Sequence, residues 1–205
     1  MFKRFRITSR ISFILKRCAS RTVLIGTSTG LILALASTSH ADQNAPELDQ
    51  LFQRLKFAQT SQDARIIENA IWQEWFRTPG RDSREKLLTA RQNVQKGNLP
   101  GALDLIDEII SAHPEYAEAW NQRAIIKFLK GDLEGSLDDI DQTLLLEPRH
   151  FGAFTGRGQC LLRLRRYREA LASYKKASLI NPQNHSIKKN VFLLEERIRT
   201  QAVPI

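Results

Sequence analysis

From Leu48 onward the apolar residues recur three or four positions apart, as on one face of a helix, and no extended two-residue alternation of the strand type occurs. Leu48 to Gln59 predicts a first helix with Leu51, Phe52 and Leu55 on one side. Gln62 to Arg77 predicts a second, striped by Ile66, Ile67, Ala70, Ile71 and Trp75 and ended by Pro79-Gly80. Beyond them the pattern repeats. Pro114, Pro148 and Pro182 stand 34 residues apart, each after an apolar segment: Ile109-Ile110, Leu144 to Leu146, and Leu179-Ile180. Alignment on these prolines gives units 83–116, 117–150 and 151–184, each long enough for two helices and a turn. A last helix, Ser186 to Arg199, turns Val191, Leu194 and Ile198 inward. It offers Lys188, Lys189, Glu195, Glu196, Arg197 and Arg199 to solvent.

The repeated positions make physical sense as antiparallel helix pairs. Small residues are needed where two helices cross closely; Ala90, Ala124 and Gly158 share one such position, and Ala102, Ser136 and Ala170 another. Gly97-Asn98 and Gly131-Asp132 suit the turn between the helices, whereas Arg165-Arg166 departs from that chemistry. A large apolar residue follows each turn (Leu99, Leu133, Tyr167), and Ile106, Ile140 and Tyr174 recur on the inner face of the second helix. Proline then ends the pair, because it cannot continue the hydrogen-bond ladder.

Period, small residues, turn and terminal proline together resemble the tetratricopeptide repeat (TPR) family over residues 83–184. The aromatic expected early in the first helix is Lys86, Trp120 or Phe154, and Thr143 stands where the family has a small apolar residue. The resemblance implies an all-α, right-handed TPR solenoid of helix–turn–helix repeats with capping helices. Residues 42–82 read as a degenerate repeat covering the open N-terminal end, and 185–205 as a C-terminal capping helix and tail. Residues 42–46 and 200–205 read as loose tails.

Composition changes the picture mainly at the N-terminus. The net charge is +9, yet residues 1–41 hold seven Lys and Arg and no acid, leaving 24 basic against 22 acidic residues, a net of +2, from Asp42 onward. Basic residues up to Arg21, an uncharged run from Val23 to Ala36, and Ser39-x-Ala41 predict a signal peptide cut after Ala41. The run is about 14 residues, against roughly 20 for a membrane-crossing helix. Export to the periplasm follows, with an uncleaved inner-membrane anchor as the alternative. Cys18 lies in this leader without a lipoprotein box, and Cys160 reads as a buried small hydrophobe. The rest is polarised: residues 42–148 carry a net of −7 and residues 149–205 a net of +9.

Catalytic chemistry finds little support. His113, His150 and His185 lie near the unit-ending prolines without metal spacing and read as loop residues; His40 leaves with the leader. Asp132, Asp138, Asp139 and Asp141 lack the alternating order of a calcium loop and read as a solvated helix face. No cofactor, metal site or catalytic residue is expected.

The resemblance implies instead a groove lined by the first helices: Arg84, Leu87, Arg91, Val94 and Gln95 in unit one; Glu118, Asn121, Ile125, Phe128 and Leu129 in unit two; Gly152, Thr155, Gln159, Leu162 and Arg163 in unit three. Phe128 and Leu162 are the candidate apolar anchors. Gly152 and Gly156 would let a ligand backbone approach closely, while Gly158 reads as helix packing. The family's carboxylate clamp for acidic chaperone tails does not fit, since its Lys and Asn positions hold Leu87, Arg91, Asn121 and Ile125. The expected role is a protein-interaction scaffold of the cell envelope that binds an unidentified protein and not nucleic acid. The alternative is an assembly subunit that self-associates through its oppositely charged ends. The basic C-terminal part, or an uncleaved leader, is the candidate membrane contact.

Overall fold

The computed structural model describes residues 46–201, in which all regular structure is α-helical. The helices are α1 (Pro46–Lys56), α2 (Ser61–Trp75), α3 (Arg81–Gln95), α4 (Leu99–Ala112), α5 (Ala117–Lys130), α6 (Leu133–Leu146), α7 (Phe151–Arg163), α8 (Tyr167–Ile180) and α9 (His185–Gln201). The leader, residues 42–45 and residues 202–205 lie outside the described residues. Pro46 already opens α1, and Thr200 and Gln201 continue α9, so neither belongs to a tail. None of the described helices is long and apolar enough to cross a membrane.

The hairpins α3–α4, α5–α6 and α7–α8 coincide with the three units and stack in chain order. Their close crossings are where the small residues predicted them: Ala90, Ala102, Ala124, Ser136, Gly158 and Ala170 are all buried. A Cβ at Gly158 would stand 2.5 Å from the Tyr174 ring, so this glycine lets the two helices of its own unit close. Ser136 satisfies its buried hydroxyl by donating to the Ala124 carbonyl (2.8 Å). Thr143 does likewise to the Asp139 carbonyl (2.9 Å), which explains how a polar residue is accommodated there. Ile106 and Ile140 are buried in successive cores, each burial contributing about 1.5–3 kcal/mol.

The turns inside the units repeat a left-handed residue: Gly97 (φ 78°), Gly131 (φ 88°) and Arg165 (φ 60°). Asn98 and Asp132 then cap α4 and α6 by accepting the N–H groups of Gly101 and Gly135. Arg166 gives α8 no side-chain cap. The acidic stretch of unit two also differs from a uniformly solvated face. Asp139 is buried, with Arg123 on both its oxygens (2.9 and 2.8 Å) and Lys127 at 2.9 Å, while Asp138 and Asp141 are exposed.

The N-terminal pair differs most from expectation. Its helices form, but they do not cover the open end of unit one; α2 runs back across the turns that join the units. The Tyr116 hydroxyl donates to the Trp75 carbonyl (3.0 Å), Trp75 stacks on His150 (3.9 Å), and Glu68 accepts from Asn181 (2.8 Å) and Asn184 (3.3 Å). Ser61 meets His185 at 3.0 Å beyond them. Tyr116, His150 and Asn184 are 34 residues apart, so α2 follows one edge of the stack through successive units. The cause is apolar surface at those turns: Phe151 and Ile180 join Leu48, Phe52, Leu55, Ala64, Ile67, Ile71 and Trp75 in one core. Ile66, placed in the stripe by sequence, is 58% exposed; Ala64 takes its place on the inner face.

At the other end α9 behaves as the first helix of a further unit. Asn184 caps it by accepting the Ile187 N–H (3.1 Å), and Ile187 and Leu194 are buried. Its outer side is less polar than expected, because Phe192 and Leu193 are exposed there.

Candidate functional site

Between α2 on one side and α5, α7 and α9 on the other lies a cavity of about 400 Å³. Glu68 and Trp72 come from α2. Asn121, Ala124, Ile125 and Phe128 come from α5, with Ser136 and Ile140 of α6 behind them. Phe151, Gly152, Thr155, Gly156, Gln159 and Cys160 come from α7, and Ser186, Ile187 and Asn190 from α9, with its cap Asn184. The i, i+3, i+4 spacing on α5 and α7 turns these residues to one side of each helix.

Of the sequence-predicted groove residues, Asn121, Ile125, Phe128, Gly152, Thr155 and Gln159 therefore line one cavity. The others lie elsewhere. Leu87 is buried in the core of unit one with Val94 packed against it, Arg84 and Gln95 are exposed, and Arg91 lies over the Phe76 ring (5.0 Å). Glu118 is buried and does not line the cavity. Leu129 is exposed on α5 without lining the cavity. Leu162 packs against the core of units two and three. Arg163 lies on the Phe128 ring (4.8 Å) and donates to the Phe128 carbonyl (3.1 Å).

The glycines of α7 separate clearly. A Cβ at Gly152 would come within 2.6 Å of the Trp72 ring, so the group that approaches this backbone is an indole of the chain itself. At Gly156 the nearest atom would be Ile140 Cδ1 at 3.7 Å, and the backbone faces open cavity.

A buried polar cluster supports the wall. Asn121 donates to both oxygens of Glu118 (3.2 and 3.1 Å), and His150 Nε2 stands 3.0 Å from Glu118 Oε2. His150 Nδ1 accepts the Ala153 N–H (3.0 Å), capping α7, so the ring proton sits on Nε2 and is donated to Glu118. His150 is thus a fully buried cap and core residue, not a loop residue. Burial, and secondarily Glu118, push the pKa of the Tyr116 hydroxyl well above its ordinary value, keeping it a donor. Burial likewise raises the Cys160 thiol, which donates to Ser136 (3.3 Å) and is held away from its nucleophilic form. Among the described residues no group of three His, Cys, Asp or Glu could hold a metal ion.

Sequence reasoning missed α2 and α9 as walls. For α9 a signal existed: Asn184 and Ile187 extend the 34-residue register of His150 and Ala153. For Glu68 and Trp72 the period offered none.

Stacked helix pairs with a cavity along their first helices define a helical-repeat protein of the interaction-module type. The chain belongs to the tetratricopeptide repeat family: its pattern matches residues 87–145 and 152–184. A TPR repeat-containing protein of Rhizobium etli is 33% identical over 151 residues, 74% of each chain. Among solved structures, the Sgt2 TPR domain from Aspergillus fumigatus superposes with a TM-score of 0.57 at 18% identity, covering 62% of this chain and 87% of that one. The first TPR of Spaghetti (RPAP3) bound to the HSP90 peptide SRMEEVD gives 0.55 at 16% identity, covering 58% and 94%. The second TPR domain of human RPAP3, in complex with the HSP70 peptide SGPTIEEVD, gives 0.52 at 19% identity, covering 56% and 95%. At these identities the structures establish the shared fold.

Proposed function

We propose that this chain is a non-catalytic protein-interaction module whose cavity between α2, α5, α7 and α9 holds a segment of a partner protein. The carrying observation is the cavity itself: it is pre-formed, mainly apolar, and fringed by the side-chain amides of Gln159 and Asn190. A pre-formed site has little ordering to lose on binding, and side-chain amides match the donors and acceptors of a peptide backbone. Peptide complexes of RPAP3 domains with this fold support the reading. The leader pattern of residues 1–41 supports a place in the cell envelope, for which N-terminal sequencing should find a mature start at Asp42.

The groove is tested by a photo-crosslinking side chain placed at Gln159, in the cavity, and at Arg168, outside it, in cells. An adduct from Gln159 that Phe128→Ala diminishes is expected; adducts from Arg168 alone contradict the groove. Self-association through the ends is a second reading, favoured by the exposed Phe192 and Leu193 on α9. A monomer in sedimentation at low ionic strength would remove it.

A further inference from the structure

We infer that the cavity selects a cationic, apolar segment of its partner: a large apolar side chain beside a lysine or arginine, and not an acidic tail. This rests on the groove reading and adds the chemistry of the occupant.

The argument is electrostatic. Among the described residues, Glu68 is the one Asp, Glu, Lys or Arg in the cavity lining. Its Oε2 accepts from the neutral amides of Asn181 and Asn184, and it makes no ion pair with a described Lys or Arg. A half-buried carboxylate whose hydrogen-bond partners are all neutral amides favours an approaching cation. A second carboxylate stands behind the wall: Glu118 is buried, and its hydrogen-bond partners are Asn121, Gln122 and His150, with no Lys or Arg among them. The cations expected for this groove, Arg84, Arg91 and Arg163, stand outside its lining. Arg91 covers Phe76, and Arg163 is laid on Phe128 and tied to its carbonyl. Apolar recognition comes from Ile125, Phe128, Ile140 and Phe151, with Ile125 43% exposed and open to contact. A carboxylate in this cavity would lose hydration and find no cation among the described lining residues; an ammonium would find Glu68.

The test measures fluorescence anisotropy of the full chain with two labelled, end-blocked hexapeptides, one with lysines flanking a phenylalanine–leucine pair and one with glutamates in their place. The lysine peptide should bind about tenfold more tightly at low salt, with the gap narrowing as salt rises. Glu68→Gln retains an acceptor for Asn181 and Asn184, and should cut the preference to about threefold or less. Gln159→Lys, at an exposed lining position, should move the preference toward glutamate. Equal affinities, a glutamate preference in the unaltered chain, or a lysine preference untouched by both substitutions would overturn the inference. Absence of binding by either peptide would also overturn it. These results are separable from the groove reading, because crosslinking from Gln159 reports occupancy whatever the occupant's charge.

Discussion

Gly152 and Gly156 lie one turn apart on α7, yet the same substitution should act on them in opposite directions. Gly156→Ala meets only ordinary contact with Ile140 at 3.7 Å, so it gains helix propensity, about 0.5–1 kcal/mol. Gly152→Ala drives a methyl into the Trp72 ring, which is confined by Trp75, Phe76 and Phe151. The net loss should be about 1 kcal/mol or more. Urea unfolding of the two variants checks both signs. Two tyrosines set a pH dependence. Tyr116 is raised by burial and then by Glu118, and Tyr174 is pushed up to about 12 by burial and then by Cys160. In the unfolded chain both ionise near pH 10, while in the folded one they keep their protons beyond it. Their contribution is therefore complete below about pH 10 and is lost as pH rises above it. Denaturation midpoints should fall above about pH 10, and less steeply in Tyr116→Phe/Tyr174→Phe.

The turn between α7 and α8 illustrates how far the elements could be read from sequence. Gly97 and Gly131 marked their turns because only glycine takes a left-handed conformation cheaply, and the structure keeps that conformation at Arg165 although its side chain is unsuited. Tertiary packing overrides the local preference there. Arg165→Gly should accordingly stabilise the protein by about 0.5–1 kcal/mol, measurable as a higher urea midpoint with unchanged slope. The repeating helices were legible because their constraints are local and recur: a small residue at a crossing, a glycine at a turn, a proline at an end. The placement of α2 was not, because Trp72 on Gly152 and Glu68 on Asn181 join residues far apart in sequence that belong to no period. His150 was misread for the same reason. Its partners Glu118 and Trp75 come from other helices, and nothing near it in sequence announces its burial.

At the scale of the whole molecule, a repeat stack ordinarily leaves its edge of turns in solvent. Here the edge is covered by α1 and α2, and that cover turns an open groove into a cavity walled on the far side by Glu68 and Trp72. About a third of the cavity lining (Asn121, Ile125, Phe128, Gly152, Thr155 and Gln159) was visible in the family register; the wall that gives it its charge was not. Everything proposed for the partner depends on α2 lying along Tyr116, His150 and Asn184 instead of stacking on α3 and α4. Nuclear Overhauser spectra of the labelled protein in solution test this directly. The account predicts cross-peaks from the Trp72 ring to the Gly152 α-protons and from Trp75 to the His150 ring. Cross-peaks from α2 to the outer faces of α3 and α4, with none to Gly152 or His150, would contradict it.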